Sequence, residues 1–419
     1  METSDFVLVG GRLALPDRIA TGLSLVVRGG IITEVVESGN DPGSGPTDLP
    51  RIDAAGALVT PGLFEFHIHG AGGVGCDQLG PDPVVGADQL RRLRAFLRAR
   101  GITGFLPTLV ADLKALDALA LAIEATVLPE DEVPGIYLEG PFIAETKRGG
   151  IPLSTIKAPD RGYLAELLAA ARGRLRVMTV APELPGIGEV VEALRDAGVL
   201  VSLGHSDCRI EEVSLPKLPF SITHLFNAMS GFSHKDAGLA TLPFYDHRPF
   251  VELNADAVHV GHSALLASSN ALDPDRLILI SDAVVAAGLP PGEYLYHGHR
   301  VVSAGQGVRY ADSGILMGSD RTLPEVLGHW TGACGADLAA GIKAATLTPR
   351  LALAEAKGVA GDAPVQDQPA PIRGTRSGPV RGAIAPGFQA DLVIWERPFG
   401  ELRQLVPGPG LQDYVCTSP

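Results

Sequence analysis

Over its first sixty positions the chain alternates short apolar runs with turn residues. Phe6-Val7-Leu8-Val9 and Leu23-Ser24-Leu25-Val26-Val27 are set apart by Gly, Pro and Asp, the punctuation of short strands. The texture returns near the other end, where Ala390-Asp391-Leu392-Val393-Ile394-Trp395 follows the turn-like Ala385-Pro386-Gly387. The economical reading is one small β-domain assembled from both termini, residues 1–59 and 382–419.

Across residues 60–360 the pattern changes. A β-branched or apolar run repeatedly precedes a longer segment with helical period, as at 90–97 and 116–123. Eight strand ends stand out: His67-Ile68-His69, Phe105-Leu106-Pro107-Thr108, Ile136-Tyr137-Leu138-Glu139, Val177-Met178-Thr179-Val180, Val201-Ser202-Leu203-Gly204-His205, Ser221-Ile222-Thr223-His224, Val251-Glu252-Leu253-Asn254 and Leu277-Ile278-Leu279-Ile280-Ser281-Asp282. Room for crossover helices between them predicts an α/β fold closed as a (β/α)8 TIM-like barrel. Residues 361–381, rich in Pro, Gly, Gln and Arg, have no apolar period and read as a loop or linker back to the β-domain.

Composition narrows the function classes. A chain of 419 residues with 46% apolar positions can bury a large core. Its 48 acidic against 34 basic residues give a net charge of -14, which argues against nucleic acid and anionic membranes as partners. An anionic substrate therefore needs a local cation. No run approaches the roughly eighteen apolar residues of a membrane span, and the start lacks a signal-peptide pattern, so the expected location is cytoplasmic. Cys76, Cys208, Cys334 and Cys416 are scattered without a C-x-x-C pair, so they suggest neither a zinc ribbon nor a disulfide framework. Arg91, Arg92, Arg94 and Arg98 read as the wet face of a helix. His297, His299 and His329 lie away from the strand ends.

The chemistry concentrates where a barrel would converge, at the C-terminal ends of its strands. His67 and His69, two apart, project to one side and can share a cation. Glu139, His205 and His224 each end an apolar run. Taken singly these are polar strand ends, a surface carboxylate and core histidines satisfied by one hydrogen bond. Together, Glu139, His205 and His224 offer one carboxylate and two imidazoles, with a fourth tetrahedral position left for water, and His67 with His69 could hold a second ion. Asp282 is either a helix N-cap or an ionised aspartate beside a cation, able to take a proton from water and return it to a departing amine. The donor set suits zinc first, with iron or another divalent ion as alternatives and one or two ions per chain.

These residues sit in motifs that resemble the N-acetylglucosamine-6-phosphate deacetylase family of the amidohydrolase superfamily. Pro61-Gly62-Leu63 leads to His67-Ile68-His69-Gly70, followed in family order by Leu138-Glu139-Gly140-Pro141-Phe142, Ala181-Pro182-Glu183, Gly204-His205-Ser206, Thr223-His224-Leu225-Phe226-Asn227-Ala228-Met229, Ala255-Asp256 through His259, and Ser281-Asp282-Ala283. The resemblance covers nearly the whole chain. It implies a barrel with a β-sandwich built from both termini and a homodimer. It also implies a principal divalent ion on Glu139, His205 and His224, a second on His67 and His69, and Asp282 as general base and acid. Asn227, the backbone of Ala228, and His259 would contact the sugar hydroxyls or phosphate.

Several positions depart from the family pattern. Ile151 in Lys147-Arg148-Gly149-Gly150-Ile151 stands where the family has a histidine that polarises the substrate carbonyl. Losing such a donor costs on the order of a hundred-fold in rate by analogy with oxyanion donors. Lys235 in His234-Lys235-Asp236-Ala237-Gly238 replaces a phosphate-binding arginine, keeping the charge without the planar fork. Asp256-Ala257 replaces Asp-Gly, and Glu65 replaces an aspartate. The expected reaction is removal of the acetyl group from an N-acetylhexosamine 6-phosphate, with acetate released. The alternatives are deacetylation of a non-phosphorylated N-acetylamino sugar or sugar conjugate, and a catalytically inactive metal-binding scaffold.

Overall fold

The computed structural model describes residues 5–38, 49–217, 219–296, 298–358 and 381–406. The linker expected at 361–381 lies outside these residues except for Arg381, as do His297 and Cys416. Eight parallel strands form one sheet in sequential order: Leu63–Ile68, Ile102–Val110, Ile136–Glu139, Leu175–Val180, Leu200–Leu203, Phe220–Ile222, Phe250–Leu253 and Leu277–Leu279. Each carries one of the eight runs read from the sequence. The last strand returns to the first through a parallel bridge between Ile68 and Ala283, and Asp282 N–H donates to His67 O at 3.1 Å. The sheet is thus closed as a barrel.

Local chemistry explains the crossover helices. Asp82 caps Pro83–Arg98 by accepting from Val84 N and Val85 N, with Pro83 at a position where its missing N–H costs nothing. Leu90, Leu93 and Leu97 recur at helical spacing and are buried, while Arg91 and Arg92 face solvent. Arg94 and Arg98 correct the sequence reading. Both turn inward to Glu132, Arg94 Nε at 2.5 Å and Arg98 Nη1 at 3.6 Å from Oε1, because a fully buried carboxylate draws the nearest cations. Asp112 caps the next helix, Leu113–Thr126, in the same way.

The two termini interleave in a sandwich. One sheet orders Ile31–Glu37, Leu23–Arg28, Phe6–Val9 and Arg51–Asp53; the other orders Glu401–Val406, Leu392–Arg397, Leu58–Pro61, Arg12–Ala14 and Ile19–Ala20. Leu58–Pro61 pairs with strands from both ends of the chain, and Phe6, Leu8, Leu25, Val59, Leu392 and Ile394 share an apolar core. After the eighth barrel strand comes an antiparallel meander that sequence reading missed: Gly292–Tyr296, His299–Ser303, Val308–Tyr310 and Leu316–Gly318. Val284 and Val285 pack against its Tyr296, Val301 and Val308, which sets the meander beside the barrel mouth. No helix among the described residues is long and apolar enough to cross a membrane.

Candidate active site

The strand ends bring five donors together. Glu139 Oε1 lies 2.7 Å from His205 Nε2 and 2.9 Å from His224 Nε2, and those two nitrogens are 3.1 Å apart. On its other side, Glu139 Oε2 is 3.4 Å from His69 Nε2, which is 3.4 Å from His67 Nε2. Glu139 therefore stands between two groups, Glu139 with His205 and His224, and Glu139 with His67 and His69. Asp282 Oδ1 is 3.7 Å from both His67 Nε2 and His69 Nε2. No helix starts at Ala283, so the capping alternative for Asp282 is set aside.

The imidazoles are aimed by what lies behind them. A carbonyl only accepts, so His205 Nδ1, 2.8 Å from Lys147 O, carries the proton and leaves Nε2 unprotonated in the neutral ring. His67 Nδ1 likewise meets the buried Glu252 carboxylate at 2.9 Å. Glu252 is itself held by Tyr137 Oη at 2.9 Å and Ser202 Oγ at 3.3 Å. His69 Nδ1 and His224 Nδ1 are buried without a protein partner. A tetrahedral ion with bonds of about 2.1 Å has ligand-to-ligand edges of about 3.4 Å. The edges among Glu139, His205 and His224, at 2.7, 2.9 and 3.1 Å, are shorter by about 0.3–0.7 Å, so this donor set fits a divalent ion once the three groups move outward by that much.

The charges of these groups shift one another. Burial opposes ionisation of Glu139, but the charge of His205 and the bonds from His205, His224 and His69 outweigh it and hold the carboxyl well below its usual range. Burial pulls His224 down, and the hydrogen bond and charge of Glu139 overcome it, lifting the ring to about 9. Glu139 is thus held ionised while His224 holds its proton, and a cation bound here would take over the charge of that proton.

Backbone geometry marks the same residues. His205 (φ 47°), His224 (φ 26°), Ala228 (φ 48°) and Asp282 (φ 51°) occupy the left-handed region, where a side chain costs roughly 1–3 kcal/mol and persists only if its surroundings impose it. No sequence pattern announces this. His205, His224 and Asp282 take this conformation within a few residues of their strand ends, and all three line the cavity.

A cavity of about 230 Å³ opens at this point. Eight of the ten candidate residues line it: His69, Glu139, His205, His224, Asn227, Ala228, His259 and Asp282. His67 sits beneath it, fully buried. Lys235 does not reach it. It stays exposed on a turn where Ser233 Oγ accepts from Lys235 N and Asp236 N at 3.3 Å, since a cation without a buried counter-ion remains in water. His259 Nδ1 is 2.7 Å from Asp256 Oδ2; burial lowers its pKa, but this bond and charge raise it above the ordinary value overall. Ile151 is buried in the wall beside Pro152, with Tyr296, Tyr310, Leu316 and Met317 contributed by the meander. Tyr310 Oη donates to Gly150 O at 3.1 Å and so ties the meander to the loop that carries Ile151. His299 is exposed on the meander and meets Tyr310 edge to face.

Two contributions escaped sequence reading. Glu252 had a signal, a charge inside the apolar strand Phe250–Leu253; the meander wall had none.

No family model matches the chain. Among curated proteins it is 33% identical over 316 residues to N-acetylglucosamine-6-phosphate deacetylase of Bos taurus, covering 71% of this chain and 75% of the relative. It is 31% identical over 310 residues to N-acetylgalactosamine-6-phosphate deacetylase of Escherichia coli O157:H7, covering 73% and 80%. Among solved structures it superposes with TM-score 0.78 and 25% identity on a mutant N-acetyl-D-glucosamine-6-phosphate deacetylase of Mycobacterium smegmatis, solved in complex with N-acetyl-D-glucosamine-6-phosphate. That match covers 96% of this chain and 98% of the other.

Proposed function

The chain belongs to the N-acetylglucosamine-6-phosphate deacetylase family of the amidohydrolase superfamily, and from that premise we propose that it hydrolyses the N-acetyl amide of an N-acetylhexosamine 6-phosphate, releasing acetate. The observation that carries this reading is the convergence of Glu139, His205 and His224 on one small volume, with Asp282 facing the same cavity. A divalent ion, zinc first for this mix of imidazole and carboxylate, would supply Lewis acidity at this point. Glu139, His205 and His224 would hold it, and His67 and His69 offer a place for a second ion.

The chain's own groups do the rest. Asp282 accepts a proton from the attacking water and returns it to the nitrogen as the carbon–nitrogen bond breaks. Such proton transfer is worth about 10²–10⁴ in rate. Lys147 O and Glu252 keep the ring protons of His205 and His67 on Nδ1, so that both Nε2 atoms face the mouth. Asn227 and the Ala228 backbone meet the sugar hydroxyls. His259, held toward its protonated form by Asp256, provides the cationic group for the phosphate.

A second reading has a specific observation behind it. Among the described residues no Lys or Arg lines the cavity, and Ile151, Leu316 and Met317 make part of its wall apolar. A non-phosphorylated N-acetylamino sugar or conjugate suits that wall. An acetate-release assay on phosphorylated and free N-acetylglucosamine and N-acetylgalactosamine, with metal content measured on the same preparation, decides among the readings. The proposal expects kcat/KM at least tenfold higher for a phosphorylated sugar. The reverse preference selects the second reading, and metal binding with no acetate from any sugar selects an inactive scaffold.

A further inference from the structure

A third donor group lies away from the mouth. His262, at the start of the helix His262–Ala271, faces His329 of the helix Leu323–Gly332 and Cys334 just beyond that helix. One ligand atom from each falls within 4.8 Å of the others, and none of the three residues lines the catalytic cavity. We propose that His262, His329 and Cys334 form a separate binding site for a thiolate-seeking divalent ion such as zinc, clasping the two helices on the outside of the barrel.

The donors are prepared to different degrees. His329 Nδ1 lies 2.9 Å from Ala255 O, and because the carbonyl only accepts, the ring proton is on Nδ1 and Nε2 is free to bind. Cys334 is a free, buried thiol whose backbone N–H donates to His329 O at 3.2 Å, so the end of one helix fixes both donors. His262 is exposed, with its ring centroid 6.5 Å from that of His329. Two anchored donors and one that can swing are what a site needs to close from separations within 4.8 Å to the roughly 3.5 Å edges of a tetrahedral imidazole–thiolate ion. On binding, the sulfur–hydrogen bond of Cys334 breaks, the proton leaves to solvent, and the sulfur keeps the electron pair for the ion. Three protein ligands leave the fourth position to water.

Two imidazoles with one thiolate prefer zinc or a similar borderline ion to magnesium or calcium, which take oxygen ligands. The catalytic donors contain no sulfur, so the two kinds of site can be told apart spectroscopically. The probe is cobalt(II), added to the full chain while sulfur-to-cobalt charge-transfer absorption is followed in the near ultraviolet. The expected result is a band that saturates at one ion per chain, vanishes in Cys334→Ser, and persists in Glu139→Gln. The exposed position gives a variant with no folding risk: His262→Ala should bind cobalt at this site at least tenfold more weakly. No band in the unaltered protein, a band that survives Cys334→Ser, a band lost in Glu139→Gln, or unchanged affinity in His262→Ala would each overturn the proposal.

Discussion

The terminal sandwich and the barrel rim place their left-handed backbone on different residues. In the sandwich it falls mostly on Gly10, Gly22, Gly29 and Gly30, with Ala55 and Phe399 as exceptions. At the rim it falls on glycines such as Gly140 and Gly149 but also on His205, His224, Phe226, Ala228 and Asp282. Glycine enters that region without a Cβ penalty, whereas the non-glycine rim residues bear that penalty where their surroundings impose it. Their interiors differ as well. The sandwich core is apolar, while the rim buries Glu65, His67, Glu139, Glu252 and Asp256. The sandwich is arranged for stability, and the rim accepts strain and buried charge for chemistry.

The strongest way to break this contrast is Asp282→Asn. If the strained aspartate serves proton transfer, kcat falls about a thousand-fold with the metal content unchanged. Acetate release beside metal analysis checks it, and near-normal turnover would remove the reason offered for strain at that position.

Buried charge is tested next, through Glu65. Burial raises its pKa from 4.5 to about 7, against the lowering effect of its bonds with Ser281 and with His67 N–H. The unfolded chain releases this proton above about pH 4.5, while the folded chain keeps it until about 7. The folded state therefore binds more protons in that window, and stability declines as pH rises through it, by ~3 kcal/mol in all. Chelator-treated protein unfolded in urea at pH 5 and pH 8 should show this loss, and Glu65→Gln should lack it. Parallel behaviour of the two proteins would mean that Glu65 ionises freely in its pocket.

His259 sharpens the contrast at the level of substrate. Its bond to Asp256 holds the ring above the ordinary imidazole value, and the proton is lost as pH climbs past the raised value. KM for a phosphorylated sugar should then rise on the alkaline side while KM for the free sugar stays flat. His259→Asn should raise KM for the phosphorylated sugar about tenfold at neutral pH, a loss of ~1.4 kcal/mol. Equal KM profiles for the two sugars would take the phosphate away from His259.

The smallest effects come from a mirrored pair. Gly22→Ala places a Cβ in open space at φ 71°, so only the conformational penalty of ~1 kcal/mol applies, with turnover unchanged. Ala228→Gly relieves the same kind of strain at the rim while keeping the backbone N–H. Thermal unfolding should show a gain below about 1 kcal/mol, reduced by the greater freedom of the unfolded chain. Destabilisation by both would show that the Ala228 methyl packs for a purpose of its own.

Much of this is legible in the sequence. Local hydrophobic period marked all eight barrel strands, because each must be apolar to sit between a packed interior and a layer of helices. The meander at 292–318 escaped because half of its short strands face water and their residues carry no continuous apolar run. Glu252 was visible as a charge within an apolar strand, yet its partner His67 lies 185 positions away. Arg94 and Arg98 were misplaced because a helical wheel cannot see Glu132 waiting across the interface.

By itself the sequence determined the kinds of donor and their order along the chain: imidazoles and carboxylates stationed at the ends of successive strands. Tertiary structure alone decided which of them meet. Closure of the barrel turned strand ends scattered over more than two hundred positions into one rim, drew Glu139 between two histidine pairs, and left Lys235 in solvent. The physical reason is that periodicity records what each residue needs from its immediate surroundings, whereas coordination depends on distances between atoms that only the closed fold brings within reach.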